Sequence, residues 1–187
     1  DTMVVGKKLG VNALAAVGAT GWVFMFNSML IQGFTQGFGI QIAKMVGEND
    51  TVKLKRAISN SIILSALLSI VLLLGMQLII NPAMHILRIP LNIRDISVTY
   101  LRVIFVGIPF SVAYNIFAVI LRSLGNSKTP LNAMVISTSS NIVLDILFVV
   151  GFQWGVIGAA VATIISQLLS AVYCFVILNK CDIFKAN

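Results

Sequence analysis

Residues 9–43, LGVNALAAVGATGWVFMFNSMLIQGFTQGFGIQIA, separate Lys8 from Lys44 without a single Asp, Glu, Lys or Arg. A helix needs about 20 residues to cross the hydrocarbon of a bilayer. The run therefore holds one long or tilted span, over about 12–43. The rest of the chain agrees with this stretch. Of its 187 residues, 58% are hydrophobic and only 10% charged, and the mean hydropathy is +1.00. A soluble domain is about a quarter charged, because it must clothe its surface for water. Collagen-like, disordered and small disulfide-rich classes fail the same arithmetic, and a polytopic membrane protein remains.

Four further apolar runs come after it. They predict spans over about 57–80, 97–121, 131–150 and 156–178, parted by Gly47-Glu48-Asn49-Asp50, by His85 to Arg94, by Arg122 to Pro130 and by Gly151 to Gly155. The second span is expected to stop at Asn81-Pro82, and Pro109 near the middle of the third is a candidate kink. Residues 1–8 read as the end of a further span with its loop. The expected fold is an all-α polytopic membrane protein with five complete transmembrane helices plus the end of a sixth. We expect a fragment, since the chain opens on Asp1-Thr2-Met3 and its last segment ends without a stop to the fold.

Thirteen Lys and Arg stand against six Asp and Glu, a formal +7. The basic residues sit singly or in short groups between apolar runs, which suits anionic headgroups of the lipid bilayer better than nucleic acid. Lys44, Lys53, Lys55, Arg56, Arg122, Lys128, Lys180 and Lys185 fall on one side. Lys7, Lys8, Arg88 and Arg94 fall on the other, with Arg102 slightly inside the third span. The positive-inside rule makes the first side cytoplasmic. Cys174 and Cys181 form no redox or metal pattern and read as free thiols.

Polar groups inside the spans point to function. Only one carboxylate lies well inside a span, Asp145. Asn141 stands one turn before it on the same helix face, and Thr138 extends the stripe. Three oxygen-bearing side chains on one face suit a small hard cation or a proton-carrying acid. The alternative is an Asp–Asn pair that only joins helices. In the last span Gly155, Ala159 and Thr163 form one ladder, beside Gly158, Ala162 and Ser166. Such ladders let helices approach closely. In the first span Asn27, Gln32 and Gln36 are candidates to line a wet central path, or else a close helix interface. A single His removes Ser–His–Asp catalysis and His-rich metal centres. Gly33, Gly37 and Gly39 lack the Lys-Ser/Thr of a phosphate loop. The chain is therefore not expected to be an enzyme or an ATP-driven pump.

Several segments together carry a family likeness. They are Asp1-Thr-Met-Val-Val-Gly, Ala13-Leu-Ala-Ala-Val, Gly33 to Gly47 with Glu48-Asn-Asp50, Leu121 to Pro130, Asn141-x-x-x-Asp145 and Gly155 to Thr163. In this order and spacing the chain resembles the multidrug and toxic compound extrusion (MATE) family of secondary transporters along essentially its whole length. The resemblance implies two six-helix lobes, of which this is the amino-terminal one, with the carboxy-terminal lobe of the same polypeptide as its missing partner. It implies a multi-pass protein of the cell (inner) membrane that exports cationic, amphipathic compounds in exchange for sodium ions or protons, with no bound cofactor. Matched by motif, the coupling cation (Na+ or H+) would sit among Asp1, Asn141, Asp145 and Thr163. The alternative function is a related flippase for lipid-linked oligosaccharides or peptidoglycan precursors, whose cavities carry basic residues to meet a pyrophosphate. Here Arg102 is the one basic residue within the spans, near one end.

Overall fold

The computed structural model describes residues 2–181, all of whose regular structure is helical. A short helix α1 (Thr2–Leu9) leads through Gly10 into α2 (Val11–Gly47). After a tight turn comes α3 (Thr51–Ile86). Beyond it lie α4 (Leu91–Val106), α5 (Ile108–Ser123), α6 (Lys128–Asp145), a π-helical segment (Ile146–Gly151) and α7 (Gly155–Asn179). Among the described residues four helices are long and apolar enough to cross a membrane: α2, α3, α7, and α6 with its π-helical extension. The bent pair α4–α5 makes a fifth.

Each helix buries one stripe and turns the remainder outward. On α2 the buried stripe runs Ala13, Ala16, Thr20, Val23, Asn27, Ile31, Thr35, Gly39 and Ile42, a spacing of three and four that keeps one face inward. The opposite face exposes Trp22, Phe26, Met29 and Phe34. On α3 Ile63, Leu67, Ile70, Val71 and Leu78 are likewise exposed. In water such surfaces would aggregate, whereas in lipid they are the expected covering. Two apolar clusters hold the bundle together. One gathers Val23, Ile31, Met76, Tyr100, Phe105, Ile108 and Val149. The other, toward the basic end, gathers Ile42, Ile58, Ile116, Leu121, Ala133, Cys174 and Leu178.

Two prolines behave differently from one another. The helix α3 runs through Pro82 to Ile86, past the stop expected at Asn81-Pro82. The third expected span is instead two helices meeting at Gly107 with a bend of 46°. There the chain chooses local bonds. The N–H of Gly107 reaches back to Ile104 at 3.0 Å, and the N–H groups of Phe110 and Ser111 both go to Gly107 at 3.1 Å. Pro109, in the first turn of α5, has no N–H to bridge the gap. Gly107 is pressed against α7, where a Cβ would stand 2.7 Å from Cγ1 of Ile164. The bend is thus held by packing as well as by the missing bond.

Candidate functional site

Asp145 closes α6 and is fully buried. One turn earlier, Asn141 reaches across to α7, where its Nδ2 donates to Oγ1 of Thr163 at 3.3 Å. The Thr163 hydroxyl donates in turn to the carbonyl of Ala159 at 3.1 Å. The seam between α6 and α7 therefore presents a carboxyl, a carboxamide and a hydroxyl in succession. The small residues of α7 make this closeness possible. Ala159, Ala160 and Ala162 are fully buried, and a Cβ on Gly158 would lie 3.1 Å from the backbone of Phe148.

The π-helical segment begins immediately after Asp145. Its wider turn shows in the N–H of Phe152, which bonds the carbonyl of Leu147 at 2.9 Å, five residues back. An extra residue per turn rotates the helix beyond that point, and Phe148 and Val149 come to face the core. Such bulges are frequent at functional sites. Beyond it the rings of Phe148, Phe152 and Trp154 cluster, with centroids 5.1 to 6.0 Å apart. On α4, Tyr100 is 6% exposed and lies within electrostatic reach of Asp145. Sequence reasoning passed over Tyr100. Its one signal there was a phenol among apolar residues.

A cavity of about 240 Å³ opens along the same seam. It is walled by Ser28 and Gln32 of α2, Tyr114 and Asn115 of α5, Thr138 of α6 and Gln167 of α7, among others. Every lining side chain except Met134 carries a hydrogen-bonding group, and none is Lys or Arg. Thr138 stands in this wall and Asp145 two turns further along α6, about 10 Å away at 1.5 Å per residue. Of the polar residues singled out within the spans, Gln32 and Thr138 are in the wall. Asn27 lies buried just behind Ser28, at 4% exposure, and Gln36 is exposed outside it. Asp1 lies outside the described residues.

The donor set decides what the site can hold. Among the described residues no three His, Cys, Asp or Glu gather into a metal cluster. One carboxylate with neutral oxygens suits a monovalent cation or a proton, since a divalent ion is usually met by more charge. An aspartate inside a membrane helix costs up to about 3 kcal/mol by insertion scales. An interhelical hydrogen bond returns on average only about 0.6 kcal/mol. Joining helices alone is thus a poor reason to place an acid here.

The chain is similar to known proteins in sequence and in fold. The MatE family model matches residues 1–147. A probable multidrug resistance protein, YoeA of Bacillus subtilis (strain 168), is 30% identical over 182 residues, covering 95% of this chain and 39% of the relative. A solved multidrug resistance MATE family transporter in its inward-facing conformation superposes with a TM-score of 0.89 at 29% identity. That match covers 95% of this chain and 40% of the other. An outward-facing transporter of the same description gives 0.88 at 30% identity, with 95% and 39% covered. The chain spans about 39% of the length of the relative it matches.

Proposed function

The chain belongs to the MatE family, and from that premise we propose that it forms one lobe of a cation-coupled exporter in the cell (inner) membrane. Cationic, amphipathic compounds move outward as sodium ions or protons move inward. The observation that carries this reading is a fully buried Asp145, one turn from the bonded Asn141–Thr163 pair and on the same helix as Thr138 in the wall of a polar cavity.

The residues divide the work. Asp145 supplies the charge that a sodium ion or proton neutralises, and Asn141 and Thr163 supply neutral oxygens and fix the spacing of α6 and α7. The cavity of Gln32, Asn115, Thr138 and Gln167 meets cargo with hydrogen bonds, and the second lobe completes it. The relatives in inward- and outward-facing states match this chain almost equally. That supports a lobe that moves as one piece while access alternates around it. A cavity wall without Lys or Arg favours cationic or neutral cargo over the pyrophosphate of a flippase.

The test is ethidium efflux from cells expressing the complete transporter, wild type against Asp145→Asn, at matched membrane levels. Efflux lost in the variant supports the assignment. Efflux equal in both moves the coupling out of this lobe.

A further inference from the structure

Arg102 differs from the other basic residues in where it stands on its helix. From there to Arg122 the chain carries no charged residue. That interval is about 30 Å along a helix at 1.5 Å per residue, which is the thickness of the hydrocarbon. The 46° bend shortens it a little. With Arg122 at the basic end of the bundle, Arg102 falls just inside the opposite boundary. A long cationic side chain at that depth snorkels toward the headgroups.

Two contacts seat α4 against α3 at this level. The Gln77 carboxamide donates to the carbonyl of Arg102 at 2.9 Å. The Arg94 guanidinium donates to Nε2 of His85 at 2.6 Å. Both helices advance eight residues between these contacts, so they run side by side and antiparallel. Arg94, Val98 and Arg102 follow at intervals of four on one side of α4, and Arg102 is exposed. Among the described residues neither arginine has an acid within ion-pair distance. Asp95 is exposed beside Arg94 and pairs with neither.

The surroundings are those of lipid. The polar cavity takes no residue from α3 or α4. One and two turns further in from Gln77, α3 exposes Leu74 and Ile70, and one turn in from Arg102, α4 exposes Val106; all three are more than half exposed. A guanidinium at the head of such an apolar strip, with no protein acid to meet it, matches an anion that the lipid itself carries. We propose that the seam of α3 and α4 binds an anionic phospholipid in the leaflet opposite the basic end. Its phosphate is held by Arg102, with Arg94 further out, and an acyl chain lies along Leu74, Ile70 and Val106. Free phosphate would use the arginines and leave the strip uncovered, which is why the seam is assigned to a lipid. A lipid so held ties α4 to α3 on one side of the bend at Gly107.

The experiment places the complete transporter in phosphatidylcholine nanodiscs containing phosphatidylglycerol with a diazirine in its acyl chain. After brief illumination, mass spectrometry reads the cross-links at Ile70, Leu74 and Val106, with diazirine-bearing phosphatidylcholine as the control. Phosphatidylglycerol is expected to label these residues several-fold more than the control. An arginine near the surface is worth about fivefold in affinity for an anionic lipid, so Arg102→Gln should lower the label about fivefold and Arg102→Lys should keep most of it. Should Arg102→Gln fail to fold, Arg94→Gln is expected to lower the label as well. Equal labelling by the two lipids, or an excess that the glutamine variants leave intact, overturns the proposal. Glycerol phosphate in the buffer should not compete, and loss of label to it would assign the arginines to free phosphate and overturn the lipid site. The readout does not depend on what the protein exports.

Discussion

Two aspartates stand in opposite surroundings, and the contrast shows how position sets the role of one side chain. Asp50 caps α3 in the turn after α2. Its carboxylate accepts from the N–H of Lys53 at 2.9 Å and pairs with the Lys53 ammonium at 3.1 Å. Water surrounds this pair, and an exposed ion pair does little beyond helping a helix to start. Asp145 also ends a helical segment, but inside the membrane, fully buried and against a polar seam. On the proposed reading a cation or a proton neutralises the carboxylate there, the part that the Lys53 ammonium plays for Asp50.

The largest effect expected is on this contrast itself. In the complete transporter, Asp145→Asn should abolish dye efflux, while Asp50→Asn should leave it near the wild-type rate. Equal losses at matched protein levels would erase the distinction. Next comes the packing that holds the seam. Gly158→Val places a branched side chain where a Cβ alone meets the backbone of Phe148, and overpacking of this kind costs about 2 kcal/mol. A clear fall in Tm in detergent is expected, and an unchanged Tm would show that α7 is not tightly seated.

Thr163→Ala sharpens the comparison further. It removes one neutral oxygen and leaves the carboxylate, a loss of about 1 kcal/mol, or roughly fivefold in ion affinity. Thr163→Ser should restore most of it. A Thr163→Ala defect as deep as that of Asp145→Asn would contradict the ranking of charge over hydroxyl.

The smallest effect belongs to Asp50. The Lys53 backbone N–H, and then the Lys53 ammonium, hold its carboxyl below the usual value of 3.8. A group lowered on folding stabilises the fold above its unfolded pKa, and this is lost as pH falls through the folded value. The small Tm difference between wild type and Asp50→Ala should therefore persist through mildly acid pH and vanish only below the ordinary carboxylate range. A difference that disappears near neutrality would refute this.

The long apolar runs were legible in the sequence because a bilayer demands length and low charge, and both survive in a one-dimensional reading. Asn141 and Asp145 stood out for a related reason, since polar side chains inside apolar helices are costly and therefore conspicuous, whereas the pairing of Asn141 with Thr163 was expected only from the family resemblance. The bend was legible as a candidate kink at Pro109, though not its place at Gly107, and the π-helical turn after Asp145 was not legible. Both are choices among backbone hydrogen bonds settled by neighbours on other helices. Pro82 makes the same point. It leaves α3 continuous, whereas Pro109 comes soon after a glycine pressed against Ile164 and begins a new helix. Tyr100 was invisible for want of the third dimension, since nothing in its spacing relates it to Asp145.

The central claim is that Asp145 carries the coupling ion. The direct measurement uses proteoliposomes containing the complete transporter, with ethidium export monitored while a sodium gradient and then a pH gradient is imposed. Wild-type export should rise with one of the two gradients, and Asp145→Asn should respond to neither. A variant that still responds to the gradient as the wild type does would place the coupling ion elsewhere.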